Sequence, residues 1–398
     1  MPQQLHTHSG AAPRGGLALA SVALAALISA GCSREQEATD ASASAGPASA
    51  ASAARGGVHD FMVVANRPNN VHLIDLAERK VVRTCQLPGK YGSGTVVMAP
   101  DKRTAYVLSN QFENVYGVDM DNCEITFSAI QSEGNVRVKS MAALAVSPDG
   151  TEIYTHQNPA RLLTDRYEVM DSQLAVYRVA DGLNAKPVRT FPAPRQVLLL
   201  VTGADGTLYM SGQDVFAMNV QTGEYSVKIP SLHATDPRYG PKDVLSIWPI
   251  GSVSNEFIRM YSAPRFTDET RNLETAEYVW GYERVDLQTG EAESRDFGPL
   301  EVVLFSGMTR PGKRNEFYAV LTQLKRYDVA QQKEIASVDL DHSYYCINFA
   351  TDGSEVYLAG TFNDIAIHDA ETLAKLGNIE LPGGDMSLAT SQVFSRAP

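Results

Sequence analysis

Val71-His72-Leu73-Ile74-Asp75 sets a pattern that returns six times along the 398-residue chain. The copies are Val115-Tyr116-Gly117-Val118-Asp119, Leu174-Ala175-Val176-Tyr177-Arg178 and Val215-Phe216-Ala217-Met218-Asn219, then Tyr282-Glu283-Arg284-Val285-Asp286, Leu324-Lys325-Arg326-Tyr327-Asp328 and Ile365-Ala366-Ile367-His368-Asp369. Each is a strand-like run that closes on a polar residue, usually Asp or Asn. Several lead into turn sequences such as Gln221-Thr222-Gly223-Glu224 and Gln288-Thr289-Gly290-Glu291. There the Asp or Asn side chain caps the turn and glycine supplies a positive φ.

A second family of turns interleaves with the first: Ala99-Pro100-Asp101-Lys102, Ser147-Pro148-Asp149-Gly150, Ala204-Asp205-Gly206, Arg310-Pro311-Gly312-Lys313 and Thr351-Asp352-Gly353. Each precedes a run such as Thr104-Ala105-Tyr106-Val107-Leu108, which makes it a hairpin turn. Two hairpins per repeat make a four-stranded unit, the blade of a propeller. The closing residues stand 44, 59, 41, 67, 42 and 41 residues apart, and four of these intervals match a blade of roughly 40–45 residues. The two long intervals hold excursions at 157–173 and 262–281. The chain is therefore expected to be all-β, a seven-bladed β-propeller of four-stranded blades over 58–398. Ser387-Leu388-Ala389-Thr390-Ser391-Gln392-Val393-Phe394 is expected to pair near Phe61-Met62-Val63-Val64-Ala65, which joins the first and last blades and removes an exposed edge.

Residues 1–31 have the form of a signal peptide. An apolar run from Leu17 to Ile28 follows Arg14 and is too short to span a bilayer as a stable helix. Ser29-Ala30-Gly31-Cys32 resembles a bacterial lipobox, with Ser29 where a branched aliphatic residue is more usual, and makes Cys32 a candidate for lipidation. Ordinary cleavage in the Ala/Ser tract beyond is the alternative. Residues 32–57 read as a flexible Ala/Ser-rich tether that cannot bury enough apolar area to offset ordering entropy. The expected location is the periplasm, with a membrane anchor if Cys32 is lipidated. The formal net charge of −12 without a Lys/Arg run argues against nucleic acid as a partner. Cys85 and Cys123 are open to two readings, a disulfide or two small buried hydrophobes, and Cys346 reads as a buried hydrophobe.

Chemistry is sparse. The Asp-Gly turns precede strands rather than helices, so they are not phosphate loops. His233, His342 and His368 are scattered, no His pair has metal-ligand spacing, and there is no Gly-x-Ser-x-Gly elbow or Cys-x-x-Cys-His haem motif. No catalytic or metal-binding residue is assigned. Asp341-His342-Ser343-Tyr344-Tyr345 falls at a junction between blades, and if it is a strand its two tyrosines face opposite sides. His342, Tyr344 and Tyr345 are read either as packing between blades or as lining of a pocket or partner surface. The excursions mix Arg with aromatic and aliphatic residues, which marks Arg161, Arg166, Tyr167, Arg265 and Trp280 as candidates for a partner interface.

Several stretches resemble the β subunit of bacterial quinohemoprotein amine dehydrogenase. They are Val138-Lys139-Ser140 through Leu144 to Ser147-Pro148-Asp149-Gly150, Pro159-Ala160-Arg161-Leu162 with Glu168-Val169, Ala193-Pro194-Arg195-Gln196 and Asp243-Val244-Leu245-Ser246-Ile247-Trp248. His342-Ser343-Tyr344-Tyr345, Asp369-Ala370-Glu371-Thr372-Leu373 and Met386-Ser387-Leu388-Ala389 continue the likeness in order. Arg195, Gln196 and the block from His342 to Tyr345 are its most specific parts, and become candidates for the substrate pocket or an interface. The resemblance implies a seven-bladed propeller without a cofactor of its own. It would scaffold a dihaem cytochrome subunit carrying haem c and a small subunit carrying cysteine tryptophylquinone. Such a complex deaminates primary amines oxidatively to aldehyde and ammonia and passes electrons to a periplasmic acceptor. The chain departs from that family in its lipobox-like start and in Cys85 and Cys123. Other readings are the heavy subunit of a tryptophan-tryptophylquinone amine dehydrogenase, a lactonase-like hydrolase, and a solitary propeller lipoprotein.

Overall fold

The computed structural model describes residues 58–90, 95–233, 236–245, 253–386 and 389–397. The expected leader 1–31, the tether 32–57 and Cys32 lie outside the described residues. Seven antiparallel sheets succeed one another, each built on four strands, and the third carries two short strands more. Blade 1 uses His59–Asn66, Asn70–Asp75 and Lys80–Gln86 as its second to fourth strands, and blade 2 runs Val96–Met98, Thr104–Ser109, Asn114–Asp119 and Ile125–Ile130. Blade 3 comprises Leu144–Val146, Glu152–Leu162, Gln173–Arg178 and Arg189–Pro192, and blade 4 Leu199–Thr202, Leu208–Ser211, Val215–Met218 and Tyr225–Ile229. Blade 5 holds Asp243–Leu245, Glu256–Arg265, Glu277–Asp286 and Ala292–Pro299. Blade 6 is Ser306–Thr309, Glu316–Val320, Gln323–Asp328 and Lys333–Asp339, and blade 7 is Cys346–Phe349, Glu355–Ala359, Asp364–Asp369 and Lys375–Glu380. The expected seven-bladed propeller is the observed fold. Among the described residues the sole helical element is the 3₁₀ turn Val179–Asp181.

All seven copies of the repeat fall on third strands, and their closing residue does what its chemistry suggests. Asp75 accepts the Glu78 N–H, Asn219 the Gln221 N–H, Asp286 the Gln288 and Thr289 N–H groups, and Asp369 those of Glu371 and Thr372. Gly223 and Gly290 adopt φ of +78° and +73° in these turns. The copy that closes on Arg178 has no such acceptor, and there the chain takes the 3₁₀ turn instead.

Burial falls from the centre outward. The innermost strands Val96–Met98, Leu144–Val146 and Cys346–Phe349 are wholly buried, whereas the outermost strand Lys333–Asp339 alternates between exposed and half-buried. The innermost strands of blades 6, 7, 1, 2, 3 and 4 touch in turn. In blade 1 that position is filled by Ser391–Arg396, with Phe61 opposite Phe394 and Met62 opposite Val393. This is the expected pairing of the first and last segments.

The seams between blades use different chemistry. Between blades 5 and 6, Phe297 lies 5.3 Å from Phe317 and 5.0 Å from Tyr327, and such ring pairs are worth about 0.5–1.5 kcal/mol beyond area burial. Between blades 7 and 1, the Asp60 carboxylate accepts the Thr351 N–H and hydroxyl, each at 2.8 Å, and also the Ser395 hydroxyl at 2.6 Å. Between blades 1 and 2, Gln392 Oε1 accepts the Met98 N–H at 2.8 Å, and Cys85 is disulfide-bonded to Cys123 across a Cα separation of 5.2 Å. Of the two readings of that pair, the bridge is observed. Cys346 is a free buried thiol, held above its ordinary pKa by burial.

The excursions are not loops. The second strand of blade 3 runs for 11 residues, Glu152–Leu162, and carries two extra short strands, Val136–Lys139 and Tyr167–Val169. In blade 5 two 10-residue strands pair without interruption from Glu256 opposite Asp286 to Arg265 opposite Glu277. Both excursions are therefore β-hairpins that prolong their own blades.

Candidate functional site

In a four-stranded meander, the turn joining second and third strands lies at the same end as the connection to the next blade. That end, the upper face, gathers the sequence-derived candidates. The blade 3 hairpin holds Arg161, Arg166 and Tyr167, the blade 5 hairpin holds Arg265 and Trp280, and the connections between blades hold Arg195, Gln196, His342, Tyr344 and Tyr345.

On the blade 3 hairpin, Arg161 pairs with Glu168 at 3.0 Å and Arg166 with Asp165 at 3.0 Å. Tyr167 is 77% exposed and Val169 69% exposed. Arg195 Nη2 donates to the Met170 carbonyl at 3.1 Å and so ties the connection to blade 4 onto the base of this hairpin. Gln196 next to it is exposed with φ of +63°. On the blade 5 hairpin, Arg265 pairs with Glu277 at 2.7 Å, and Leu273 and Tyr278 are exposed. Trp280 departs from its reading as an interface residue. It is only 4% exposed, packs in the core shared with blade 6, and donates Nε1–H to the Val302 carbonyl at 2.7 Å. The interface candidates that reach solvent are thus Arg161, Arg166, Tyr167 and Arg265.

His342, Tyr344 and Tyr345 precede the strand Cys346–Phe349 rather than forming part of it, so they do not alternate across a sheet. Tyr344 is buried and its hydroxyl donates to Asp364 Oδ2 at 2.7 Å. Burial and that carboxylate push the phenol well above its usual range. His342 Nε2 lies 2.9 Å from Asp364 Oδ1, and its ring sits 4.1 Å from Tyr344 and 4.7 Å from Phe362. Tyr345 is half-buried and stacks on Phe305 at 4.7 Å. This cluster belongs to blades 6 and 7, whereas Arg195 and Gln196 belong to blades 3 and 4. The two groups make no contact with each other and do not form one pocket.

One polar centre has no counterpart in the sequence reading. Arg259, fully buried on blade 5, donates to Glu283 at 2.7 Å, to the Gly212 carbonyl at 2.8 Å and to the Ser231 hydroxyl. Lys242 reaches the other oxygen of Glu283 at 2.8 Å. Burial pushes the Glu283 carboxyl up, but Arg259 and Lys242 outweigh it and hold it below its ordinary value. Asp214 on blade 4 accepts the Ser231 and Leu232 N–H groups and lies 2.6 Å from His233 Nδ1. These residues come from two successive repeats and share no motif, so no local signal pointed to them. Every charge in the centre is paired, which suits a seam between blades 4 and 5 rather than a reaction site.

Among the described residues no group of three or more His, Cys, Asp and Glu side chains is placed to hold a metal ion. Two cavities open on the opposite, lower face. One of about 840 Å³ lies between blades 3 and 4, beside Asp149, Glu152, Tyr154, Asp205 and Tyr225. The other, about 360 Å³, sits among the lower ends of the innermost strands, beside Val97, Met98, Leu144, Leu200 and Gln392.

No family model matches the chain, and no curated protein matches it. Among solved structures, the chain is similar to dihydro-heme d1 dehydrogenase NirN in complex with DHE, at 12% sequence identity and a TM-score of 0.47. That match covers 83% of this chain and 74% of the other. At this distance the likeness carries no functional argument.

Proposed function

We propose that this chain is the non-catalytic propeller subunit of a periplasmic quinohemoprotein amine dehydrogenase. Its work is to scaffold a dihaem cytochrome subunit and a small subunit bearing cysteine tryptophylquinone, and to wall part of the amine pocket. The sequence resemblance supplies the identity of the partners. The observation that carries the scaffold role is the pair of prolonged hairpins on one face, whose ends present Tyr167, Val169, Leu273 and Tyr278 to solvent. Exposed aromatic and aliphatic side chains beside Arg161, Arg166 and Arg265 have the composition of binding hot spots. The chemistry of amine oxidation resides in the partners, and electrons leave to a periplasmic acceptor. Cys32, when lipidated, anchors the assembly to a membrane through the tether.

The test is recovery of the tagged chain from its native periplasm, scored by haem absorbance and mass spectrometry. A dihaem subunit and a cross-linked quinone subunit should co-purify, and added primary amine should reduce the haem. A colourless propeller recovered alone, or amine-dependent dye reduction by the isolated chain, would overturn the proposal.

A further inference from the structure

We infer that the smaller cavity on the lower face binds a small neutral carbonyl compound, oriented by the side-chain amide of Gln392. The site does not depend on the amine dehydrogenase reading, since none of the upper-face residues takes part.

Three observations converge on that chemistry. The cavity, about 360 Å³, lies at the lower end of the range of roughly 300–1,000 Å³ typical of small-molecule pockets. Val97, Met98, Leu144, Val146 and Leu200 form its apolar wall, Ser147, Thr202, Asn255, Gln288 and Gln392 are its uncharged polar members, and among the described residues no Asp, Glu, Lys, Arg or His reaches it. A charged ligand would therefore lose its hydration without compensation, which leaves neutral molecules.

The third observation is Gln392 itself, which is 7% exposed. Its Oε1 accepts the Met98 N–H at 2.8 Å, and that bond decides which end of the amide is oxygen. Nε2 is then the end left over, and it donates to no other described residue. That nitrogen is not sealed off among protein atoms, so an oxygen acceptor inside the cavity reaches and satisfies it. The nearby Thr202 hydroxyl already donates to the Val146 carbonyl at 2.9 Å, so it does not supply a second fixed donor. The Ser147 hydroxyl is engaged by Asp149, and the amides of Asn255 and Gln288 bond to each other in exposed positions. This leaves Gln392 as the donor of the less exposed wall, a match for an apolar body bearing one carbonyl.

Acetophenone is a suitable probe, and ethylbenzene is its counterpart lacking the oxygen. Each is titrated into the purified chain by ligand-observed NMR. The wild type should bind acetophenone saturably and about fivefold more tightly than ethylbenzene, the difference expected of one hydrogen bond. Gln392→Leu should erase that preference, and Thr202→Trp, which fills the cavity, should abolish binding of both probes. Should Gln392→Leu unfold for want of the bond to Met98, the wild-type preference and the Thr202→Trp result decide the matter. Equal affinity for the two probes in the wild type overturns the inference, as does binding that survives Thr202→Trp. Absence of saturable binding below about 10 mM overturns it too, and assigns the cavity to water.

Discussion

Breaking the Cys85–Cys123 bridge should destabilise the propeller by a predictable amount. The bridge joins the outermost strand of blade 1 to a turn of blade 2, and 38 residues separate its ends. In the chain-entropy account, closing a loop of that length removes about 4 kcal/mol of freedom from the unfolded chain at 25 °C. Unfolding entropy near 2.1 cal/mol/K per residue gives about 0.7 kcal/mol/K for the described domain, so the loss corresponds to a fall in Tm of about 5–6 °C. Two perturbations should agree. Cys85→Ala/Cys123→Ala removes the sulfurs, whereas reduction of the wild type leaves every atom but the bond, and differential scanning calorimetry reads both. Because Cys85 is buried, the alanine pair should fall slightly further through lost packing. A shift below about 1 °C on verified reduction would refute the reasoning, because the unfolded chain would then gain no freedom when the loop is opened.

Other expectations follow from particular contacts. Trp280→Phe should lower stability by about 1 kcal/mol through the lost bond to Val302, and by urea melts the loss should be the same with or without partners. Tyr167→Ala should leave the melt within about 0.5 kcal/mol of wild type, yet weaken co-purification of the partner subunits. Arg259→Met should cost about 3–5 kcal/mol in urea denaturation, since it strands Glu283 in a buried site with Lys242 as its one remaining cation. His72 is held at about pKa 4 by burial, against 6.5 for the free side chain. The unfolded chain therefore binds more protons between these values, and up to about 3 kcal/mol of stability present above pH 6.5 is lost as the pH falls toward 4. Burial lowers His156 and His368 as well, which adds in the same direction, and His72→Gln should flatten the slope of Tm against pH in this window.

The fold was legible because its signal is local and repeated. An Asp or Asn at the end of six of the seven third strands caps a turn, and these turns, mostly forty-odd residues apart, count blades without reference to tertiary structure. The site was less legible, for two reasons. Arg and Trp mark hot spots, but a tryptophan can equally anchor a seam, and Trp280 does so because Val302 and blade 6 lie beside it. The intervals at 157–173 and 262–281 gave away extra length but not its conformation, and pairing such as Arg265 with Glu277 becomes visible only in register. The lower cavity had no signal at all. Val97, Leu144, Leu200 and Gln392 lie in four different repeats, and only ring closure brings them to one place.

Closure by Ser391–Arg396 has a consequence for the order of events in the cell. The first blade of the propeller to be synthesised is completed by the propeller's last strand, so its second strand waits with one side unpaired throughout synthesis. Phe61, Met62 and Val63 then offer backbone hydrogen-bonding groups and apolar side chains that any passing strand can take up, including the tail of another copy. A chain halted before Ser391 has no means of finishing that blade. The pairing of these two strands therefore acts as a built-in check on the propeller, and termination before Ser391 should send the product to aggregation or proteolysis rather than to a shortened but working propeller.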